Sequence, residues 1–446
     1  MQGTFSIKVY GCQMNVYDGD RLRGAMMERG WSESADMEDS DFVIFVTCSI
    51  RDKAEQKVIS ELGRFRRLWE KNRRPRVALV GCMAQRTGAE IAKKFPWVRV
   101  VVGPRSLGAA PESIVSALES GRTFLHLDGD PRALDDLACA PSRKSAGHKA
   151  YVTIAHGCDQ FCTYCIVPYV RGRFGSRPPE AILSEIRSLV EGGAAEVTLL
   201  GQNVNSYGRD FGGGYGFAGL LKDAASTDGL RRLRFTTSHP SDFTDDILDA
   251  MTSNSRICPG INLPVQSGSD KVLREMNRKY DRAGYLGTVK KIREALPMLG
   301  LTTDLIVGFP GETEEEFGES VSLLESARFD LVHSAAYSPR SGTPAADRAD
   351  QIDERERARR LVEVNGIQSR ISGEINKALE GRVFEVLLDE IAPKGEGLLQ
   401  GRTVTDKVVI VRAPSDMIGS FEEVRITGSS PWHLEGELKP RTISVV

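Results

Sequence analysis

Long hydrophobic runs are missing from this chain of 446 residues. The longest purely apolar runs, such as Phe42 to Val46, fall far short of the ~20 residues that a membrane-spanning helix needs, so no membrane partner is expected. A large net charge is also missing, because 59 Lys and Arg residues against 61 Asp and Glu residues leave −2. Any nucleic acid must therefore be held by local basic patches and not by the charge of the whole surface.

A secretion signal is equally missing, since residues Met1 to Tyr10 contain no apolar core of a signal peptide. With 40% hydrophobic and 27% charged residues, the composition excludes collagen-like and disordered chains. The length predicts two or three domains. We therefore expect a cytoplasmic protein whose eight cysteines stay reduced, and such thiols bind metal or catalyse more often than they form disulfides.

Three of the cysteines lie within eight residues, at Cys158, Cys162 and Cys165. Their C-x3-C-x2-C spacing differs from the paired C-x2-C of a zinc ribbon and from the C-x2-C-x2-C run of a bacterial ferredoxin. Three thiolates this close together suit a four-iron cluster in which one iron has no protein ligand and stays open to a substrate. A structural zinc site completed by His156 is the alternative.

A second set of three cysteines, Cys12, Cys48 and Cys82, is spread over the first 82 residues. Each follows an apolar, strand-like run, and helix-like stretches separate the runs. This alternation favours a parallel sheet in which all three strand ends point the same way, so the thiols meet at its carboxyl edge. We expect a second three-thiolate cluster there; the alternative is three unrelated buried cysteines. The strand-like runs are residues 5–10, 42–46 and 76–80.

The two remaining cysteines have no partners at the spacing of metal ligands. Cys139 lies in the stretch from Pro131 to His148, whose Ala, Ser, Pro, Arg and Lys content predicts a linker. Cys258 precedes Pro259-Gly260 just before a strand-like run. Both are expected to be packing or free thiols.

From Tyr151 the chain alternates again between strand-like and helix-like stretches. Six strand–helix units are too few for the eight of a complete barrel, and they predict an open, partial (β/α)6 barrel. Each polar motif of this region follows a strand, as the active-site residues of β/α barrels do. The predicted strands are residues 151–155, 196–200, 232–236, 260–263, 302–307 and 331–336.

The C-terminal part changes in character after a long charged helix predicted over Asp353 to Leu379. Four short β-branched runs, broken by Gly or Pro, predict a small all-β barrel or sandwich. The fold class is therefore α/β with three domains. These are an N-terminal parallel α/β domain (1–140), a central partial (β/α)6 barrel (144–375) and a small all-β barrel (377–441).

Two basic groups are candidates for contact with an anionic polymer. Residues Arg51 to Arg76 hold ten Lys or Arg against four Asp or Glu, although such a run is also typical of a solvated helix face. The second group, Arg171, Arg173 and Arg177, follows the cysteine triplet directly, where an anionic polymer would have to reach a reactive cluster.

The cysteine motifs resemble those of one known family. The Cys158-x3-Cys162-x2-Cys165 motif resembles the signature of radical S-adenosylmethionine enzymes, and the whole chain resembles their methylthiotransferase family. The N-terminal region is similar to that family's cluster-binding domain, the middle to its partial barrel and the end to a TRAM domain, a β-barrel associated with RNA binding. The other motifs of the resemblance are Gly11-Cys12-Gln13-Met14-Asn15, Thr47-Cys48-Ser49-Ile50-Arg51, Gly81-Cys82-Met83-Ala84-Gln85 and residues 162–173, 200–207 and 263–269.

The resemblance implies two [4Fe-4S] clusters and S-adenosyl-L-methionine as cofactors. The cluster on the 158–165 triplet would cleave S-adenosylmethionine reductively, and the cluster on Cys12, Cys48 and Cys82 would be the site of sulfur delivery. The implied activity is methylthiolation of a tRNA adenosine, which converts N6-dimethylallyladenosine next to the anticodon into its 2-methylthio derivative. The implied partners are the anticodon stem-loop of a tRNA, a low-potential electron donor and a sulfur source.

Contacts to S-adenosylmethionine are expected from Gln202, Ser238, Gln266 and Asp304, because these residues sit at carboxyl ends of strands on the predicted active face. Each could equally be a capping or turn residue. Two other activities remain open: methylthiolation of a ribosomal protein side chain, and a non-catalytic iron–sulfur protein that binds RNA or senses redox state. Modification of threonylcarbamoyl adenosine is disfavoured by Gln13-Met14 after Cys12.

Overall fold

The computed structural model describes residues 3–49, 52–127, 147–393 and 395–440, and it describes side chains from residue 55 onwards after the gap at 50–51. Cys139 and most of the predicted linker lie outside these residues. Within the described ranges, no helix is long and apolar enough to cross a membrane.

The N-terminal region is a six-stranded parallel sheet with the strand order β2-β1-β3-β4-β5-β6. The expected parallel sheet is confirmed, and the three predicted strands are β1, β3 and β4. Sequence analysis missed β2, β5 and β6. The strands are β1 (Thr4–Val9), β2 (Ser32–Glu33), β3 (Phe42–Thr47), β4 (Arg76–Gly81), β5 (Val98–Val102) and β6 (Phe124–His126).

Helices cover both faces of this sheet because its central strands are apolar on both sides. On β3, Phe42 and Ile44 pack with α1 and α4, whereas Val43 and Phe45 pack with α2 and α3. All six residues of β3 are buried. The helices are α1 (Gln13–Glu28), α2 (Asp52–Asn72), α3 (Cys82–Lys94) and α4 (Ala110–Ser120).

The middle of the chain forms six parallel strands in chain order, which confirms the expected partial barrel. Sheets β7-β10-β11 and β12-β13-β14 follow each other, and the parallel bridge from Leu233 to Ile257 continues the first toward the second. The six strands are β7 (Lys149–Thr153), β10 (Glu196–Leu200), β11 (Arg232–Phe235), β12 (Gly260–Asn262), β13 (Gly300–Val307) and β14 (Leu331–Ala336), and the short pair β8 (Ala155–His156) and β9 (Gly175–Ser176) lies between β7 and β10.

The helices of this region connect the strands on the outside of the barrel. Most of their apolar faces pack on the strands in one continuous core, and the long α12 packs against β14. The short helices α5 and α9 contribute to two smaller clusters instead. They are α5 (Val167–Arg171), α6 (Pro179–Glu191), α7 (Phe217–Ala225), α8 (Asp245–Ser253), α9 (Asp270–Glu275), α10 (Arg282–Ala295), α11 (Glu314–Ala327) and α12 (Glu354–Lys377).

The C-terminal region is a closed five-stranded barrel, as the β-branched runs predicted, with a fifth strand, β19, that the sequence did not reveal. Its order is β15-β16-β17-β19-β18. The strands are β15 (Val383–Ile391), β16 (Leu398–Thr403), β17 (Val408–Arg412), β18 (Phe421–Ser429) and β19 (Leu434–Leu438).

The turn between β16 and β17 closes the amino-terminal end of the partial barrel. Arg234 of β11 donates hydrogen bonds to the carbonyl oxygens of Thr403 (2.7 Å) and Val404 (3.0 Å) and pairs with Glu196 at 2.9 Å. A Cβ atom on Gly300 would lie 2.2 Å from the carbonyl oxygen of Thr405, so the turn approaches the β13 backbone directly. The opposite, carboxyl end of the barrel lies against the N-terminal region, where Met14 and Tyr17 of α1 pack with Leu200 of β10.

Candidate active site

A cavity of about 990 Å³ runs through the partial barrel to the edge of the N-terminal sheet. The four polar residues predicted as cofactor contacts line it, and so do all six cysteines of the two sets. These residues are Gln202, Ser238, Gln266, Asp304, Cys12, Cys48, Cys82, Cys158, Cys162 and Cys165. Two cysteine sets that are far apart in sequence therefore open into one chamber. Among the described residues, no three His, Cys, Asp or Glu side chains are arranged to hold one metal ion.

The N-terminal cysteines lie at the carboxyl ends of β1, β3 and β4. Cys12 caps α1, Cys48 follows β3 and Cys82 is the first residue of α3. The edge is tightly packed, because a Cβ atom on Gly11 would lie 2.5 Å from the Cβ atom of Cys48. Gly81 has φ +100°, and a Cβ atom there would lie 2.6 Å from the Thr47 carbonyl oxygen. Glycine before two of the three cysteines is thus what lets the three strand ends converge.

Arg171, at the end of α5, connects the barrel loop to the N-terminal cysteines. Its Nε donates to the Sγ atom of Cys82 at 3.2 Å, and its Nη2 lies 3.4 Å from Asp18 Oδ2 and 3.5 Å from Asn15 Oδ1. Burial opposes the charge on Arg171, but Cys82 and Asp18 outweigh it and raise the pKa of Arg171 above its ordinary value. The guanidinium is therefore a buried, permanent cation beside a sulfur.

Two of the three arginines predicted to contact an anionic polymer, Arg171 and Arg177, do not face solvent. Arg171 is only 6% exposed, and Arg177 is largely buried and pairs with Glu185 at 2.8 Å. Their guanidinium groups interact with side chains inside the protein, because α1 and α6 cover the loop that carries them. Arg173, with 58% of its side chain exposed, is the member of this group that faces solvent. On α2, Arg66 pairs with Glu70, as expected of a solvated helix face.

The cysteine triplet occupies a loop that neighbouring elements hold by hydrogen bonds. Gly157 has φ +71°, and a Cβ atom there would lie 2.0 Å from the Arg173 carbonyl oxygen. The side-chain amide of Asn277 donates to the carbonyl oxygens of Gln160 (3.1 Å) and Phe161 (3.0 Å). The hydroxyl of Thr163 donates to the Glu275 carbonyl oxygen at 2.8 Å. These bonds define the position of the three thiols relative to α9.

A second buried arginine, Arg278, lies beside the triplet. Its Nη1 donates to Cys162 Sγ at 3.5 Å and its Nη2 to the Pro264 carbonyl oxygen at 2.7 Å. Burial raises the pKa of Cys158 to about 11, and burial together with Cys162 raises that of Cys165 to about 12. These thiols are protonated at neutral pH in the protein alone, so a bound cation must displace their protons. Each cysteine set thus has one guanidinium donating to one sulfur.

Polar groups without partners surround the barrel end of the cavity. Within the described residues, the side-chain oxygen Oε1 of Gln202, the hydroxyl of Ser238 and both ring nitrogens of His239 have no hydrogen-bond partner. Burial, followed by the charge of Arg278, lowers the pKa of His239 to about 3, so the ring is neutral. Asp304 accepts a hydrogen bond from Asn262 at 3.0 Å. Buried unpaired polar groups that face a cavity are typical of a site that a polar ligand completes.

No sequence signal pointed to Arg278, and His239 was indicated only as the neighbour of Ser238 after a predicted strand. The sequence also predicted Arg171 as a contact for an anionic polymer, whereas the side chain is buried. The signal for Arg171 was its place in the motif 162–173, but nothing local shows that its side chain turns inward. Cys258 is buried and does not line the cavity. Its burial agrees with the expectation of a packing thiol.

Family models match three regions of the chain. They are the radical SAM superfamily over residues 152–324, the uncharacterized protein family UPF0004 over residues 4–103 and the TRAM domain over residues 377–439. Membership of the radical SAM superfamily implies a four-iron cluster and S-adenosylmethionine as cofactors.

Two solved structures of the radical S-adenosylmethionine methyltransferase TsrM from Kitasatospora setae share the fold. The form with cobalamin and a [4Fe-4S] cluster has a TM-score of 0.57 at 16% identity, over 90% of this chain and 81% of that one. The form with tryptophan and a S-adenosylmethionine analogue has a TM-score of 0.56 at 16% identity, over 77% and 75%.

Curated relatives match nearly the whole chain. The tRNA-2-methylthio-N(6)-dimethylallyladenosine synthase of Acetivibrio thermocellus is 43% identical over 442 residues, which are 97% of this chain and 90% of the relative. The enzyme of the same name from Carboxydothermus hydrogenoformans is 42% identical over 98% of this chain and 99% of its own length. With this identity over the full length and six cysteines around one cavity, the chain belongs to the tRNA-2-methylthio-N(6)-dimethylallyladenosine synthase family of methylthiotransferases, within the radical SAM superfamily.

Proposed function

We propose that this chain methylthiolates a tRNA adenosine, converting N6-dimethylallyladenosine next to the anticodon into its 2-methylthio derivative. The relatives from A. thermocellus and C. hydrogenoformans carry this activity in their names. The observation that carries the proposal is that two cysteine sets, one at the edge of the N-terminal sheet and one on a loop of the partial barrel, line one cavity. A reaction that activates a carbon and then delivers sulfur to it needs both sites within reach of one bound substrate.

Each cysteine set, in this proposal, holds a four-iron cluster. The donor sets fit, because three thiols are available in each and thiolates are the usual ligands of such clusters. The buried guanidinium groups of Arg171 and Arg278 support this assignment, since a cationic donor offsets the negative charge of ligating thiolates. When bound, the clusters supply the reductive cleavage of S-adenosylmethionine and the sulfur delivery that side chains cannot perform.

The chain's own residues bind and orient the substrates. Gln202, Ser238, Gln266 and Asp304 are proposed to hold S-adenosylmethionine, whose ammonium, carboxylate and ribose hydroxyls need amide, hydroxyl and carboxylate partners. The unpaired oxygens of Gln202 and Ser238 support this role. The turn between β16 and β17 covers the opposite end of the barrel, and it therefore restricts entry of water to the reaction chamber.

Further parts of the proposal concern partners and location. The match of residues 377–439 to the TRAM domain supports tRNA as the substrate. A low-potential electron donor and a sulfur source are required by the proposed chemistry, and we propose a cytoplasmic location and domain limits of 1–140, 144–375 and 377–441. The six-stranded sheet, the partial barrel and the closed barrel fall within these three ranges.

The proposal is tested by mass spectrometry of tRNA nucleosides from a strain that lacks the protein. We expect 2-methylthio-N6-dimethylallyladenosine to disappear and N6-dimethylallyladenosine to accumulate, and the plasmid-borne gene to restore the product. Persistence of the methylthio nucleoside would refute the proposal. Loss of a methylthio group from a ribosomal protein, with tRNA unchanged, would assign the chain the alternative substrate.

Iron counting tests the division between the two cysteine sets. Anaerobically reconstituted protein should hold about eight irons. Alanine at Cys158, Cys162 and Cys165 should leave about four irons and abolish formation of 5′-deoxyadenosine. Alanine at the three N-terminal cysteines should also leave about four irons but retain this cleavage while methylthio product is lost.

Alanine at the buried Cys258, which does not line the cavity, is the matched control and should keep about eight irons. Full iron content without the N-terminal cysteines would show that this set binds no cluster.

A further inference from the structure

Two aromatic side chains are exposed near the cysteine triplet, one on the loop that carries it and one on α5 directly after it. Phe161 is 38% exposed and Tyr169 is 49% exposed. Their ring centroids are 6.4 Å apart with an angle of 84° between the planes, so one ring meets the other edge-on. Single exposed aromatics are ordinary, but a contacting pair beside a candidate active site is not explained by chance exposure.

The backbone of Phe161 provides an independent observation. Its φ is +47°, in the left-handed region that bulky side chains rarely adopt. Glycine or asparagine would adopt this φ at lower cost. The side chain of Phe161 also contributes nothing to a buried core that would explain its presence. Strained residues that persist at the surface occur most often at sites of binding or catalysis. The flanking residues Gln160 and Cys162 line the cavity, so Phe161 borders it in the chain.

A cation completes this surface. The guanidinium carbon of Arg173 lies 5.2 Å from the centroid of the Phe161 ring, and its Nε pairs with Asp159 at 3.1 Å. More than half of the Arg173 side chain remains exposed. Aromatic rings next to a basic group are the combination that binds single-stranded nucleic acid, because bases stack on the rings and phosphates pair with the cation.

We propose that Tyr169 is the stacking platform for a nucleotide that flanks the target adenosine in a single-stranded tRNA loop. Phe161 holds the Tyr169 ring by edge-to-face contact, and Arg173 pairs with a nearby phosphate. The target base must leave the stack of its loop to enter the cavity, and a ring at the entrance replaces part of the stacking that its neighbour loses. This inference rests on the proposed function, since it assigns the RNA contact for that reaction.

Binding of a fluorescently labelled anticodon stem-loop to the reconstituted protein, followed by anisotropy, tests the platform. Tyr169→Ala should weaken binding about 5- to 150-fold, the range that loss of one base–aromatic stack produces. Tyr169→Phe retains the ring and should bind like the wild type. Phe161→Asn tolerates the left-handed backbone, removes the supporting ring and should weaken binding to a lesser extent. Val362→Ala, at a 72% exposed position on α12, is the matched control.

The dependence of binding on salt separates stacking from charge. Arg173→Gln should reduce the slope of log affinity against log salt by about one, whereas Tyr169→Ala should leave the slope of the wild type. Iron content shows in each case that the clusters are intact. Tyr169→Ala protein that holds full iron and binds the stem-loop within twofold of wild type would overturn the inference. An equal loss in Tyr169→Phe would also overturn it, because the contact would then be the hydroxyl. If wild-type protein itself neither binds the stem-loop nor forms the methylthio nucleoside, the proposed function fails instead.

Discussion

Replacing Arg171 by methionine should disrupt the N-terminal cysteine set while sparing the triplet. Methionine keeps an unbranched chain of similar length but removes the cation that donates to Cys82 Sγ at 3.2 Å and lies 3.4 Å from Asp18. Both Arg171 and Asp18 have only 6% of their side chains exposed, so solvent does not replace the lost partner. The substitution therefore leaves a sulfur and a carboxylate in the interior with one cation fewer.

The magnitude follows from the distance between the two charges. Unit charges 3.4 Å apart attract each other by about 5 kcal/mol at an effective dielectric constant of 20. Removal of one partner from a buried pair costs about 3 to 5 kcal/mol in measured cases. Asp18 makes a further interaction, so we expect the lower end, about 3 kcal/mol of unfolding free energy. That loss lowers the melting temperature of the N-terminal region by about 6 to 12 °C.

Iron content and thermal melting are the assays. Arg171→Met protein should hold about four irons in place of about eight and should still form 5′-deoxyadenosine. Arg171→Lys keeps the charge but cannot make all three contacts, and it should fall between these values. The exposed Arg173→Met, two residues further on, is the matched control and should keep about eight irons. Arg171→Met protein with full iron and an unchanged melting temperature would refute the reasoning.

Three further predictions follow from single contacts. Gly157→Ala should lose about four irons and the cleavage of S-adenosylmethionine, because its Cβ atom would lie 2.0 Å from a carbonyl oxygen. Gly212 has a similar φ of +68°, but a Cβ atom there would meet no atom within 4 Å, so Gly212→Ala should keep full iron. Arg234→Met should lower the free energy of unfolding in urea by about 3 to 5 kcal/mol, because it removes a buried ion pair. The control Arg231→Met, at a half-exposed position, should lower it by less than about 1 kcal/mol. Equal effects would show that the buried contacts to the β16–β17 turn do not hold the barrels together. The pKa of His239 is lowered to about 3 in the folded protein from 6.5 in the unfolded chain, so below pH 6.5 the unfolded state binds one proton more. Through this group, the free energy of unfolding falls by about 1.4 kcal/mol for each pH unit below pH 6.5. His239→Gln should therefore weaken the pH dependence of the urea-unfolding free energy between about pH 6 and pH 5, and an unchanged slope would contradict the assignment.

Local patterns in the sequence were sufficient to predict most of the architecture. The predicted strands at residues 196–200 and 331–336 coincide with β10 and β14. The apolar run at residues 42–46 lies within β3, whose residues are all buried, because a central parallel strand is covered on both faces. Strand β19 escaped prediction, since its Leu434–Leu438 segment alternates with glutamate and glycine and takes its strand conformation from pairing with β17 and β18. A short strand of this composition depends on pairing partners that a local pattern does not reveal.

The cysteine spacing by itself determined which residues are candidates for iron. A triplet within eight residues and three cysteines after three strands are patterns of covalent order, and parallel topology alone brings the strand ends to one edge. Only the tertiary structure showed that both sets open into the same cavity, since the packing of the N-terminal sheet against the partial barrel has no local signature. The tertiary structure alone also decided which arginine side chains are buried. Arg171 and Arg173 are two residues apart on one short segment, yet the first is buried against Cys82 and the second faces solvent. The physical reason is that a side chain's burial depends on what packs over it, and α1, which covers Arg171, lies more than a hundred residues earlier in the chain.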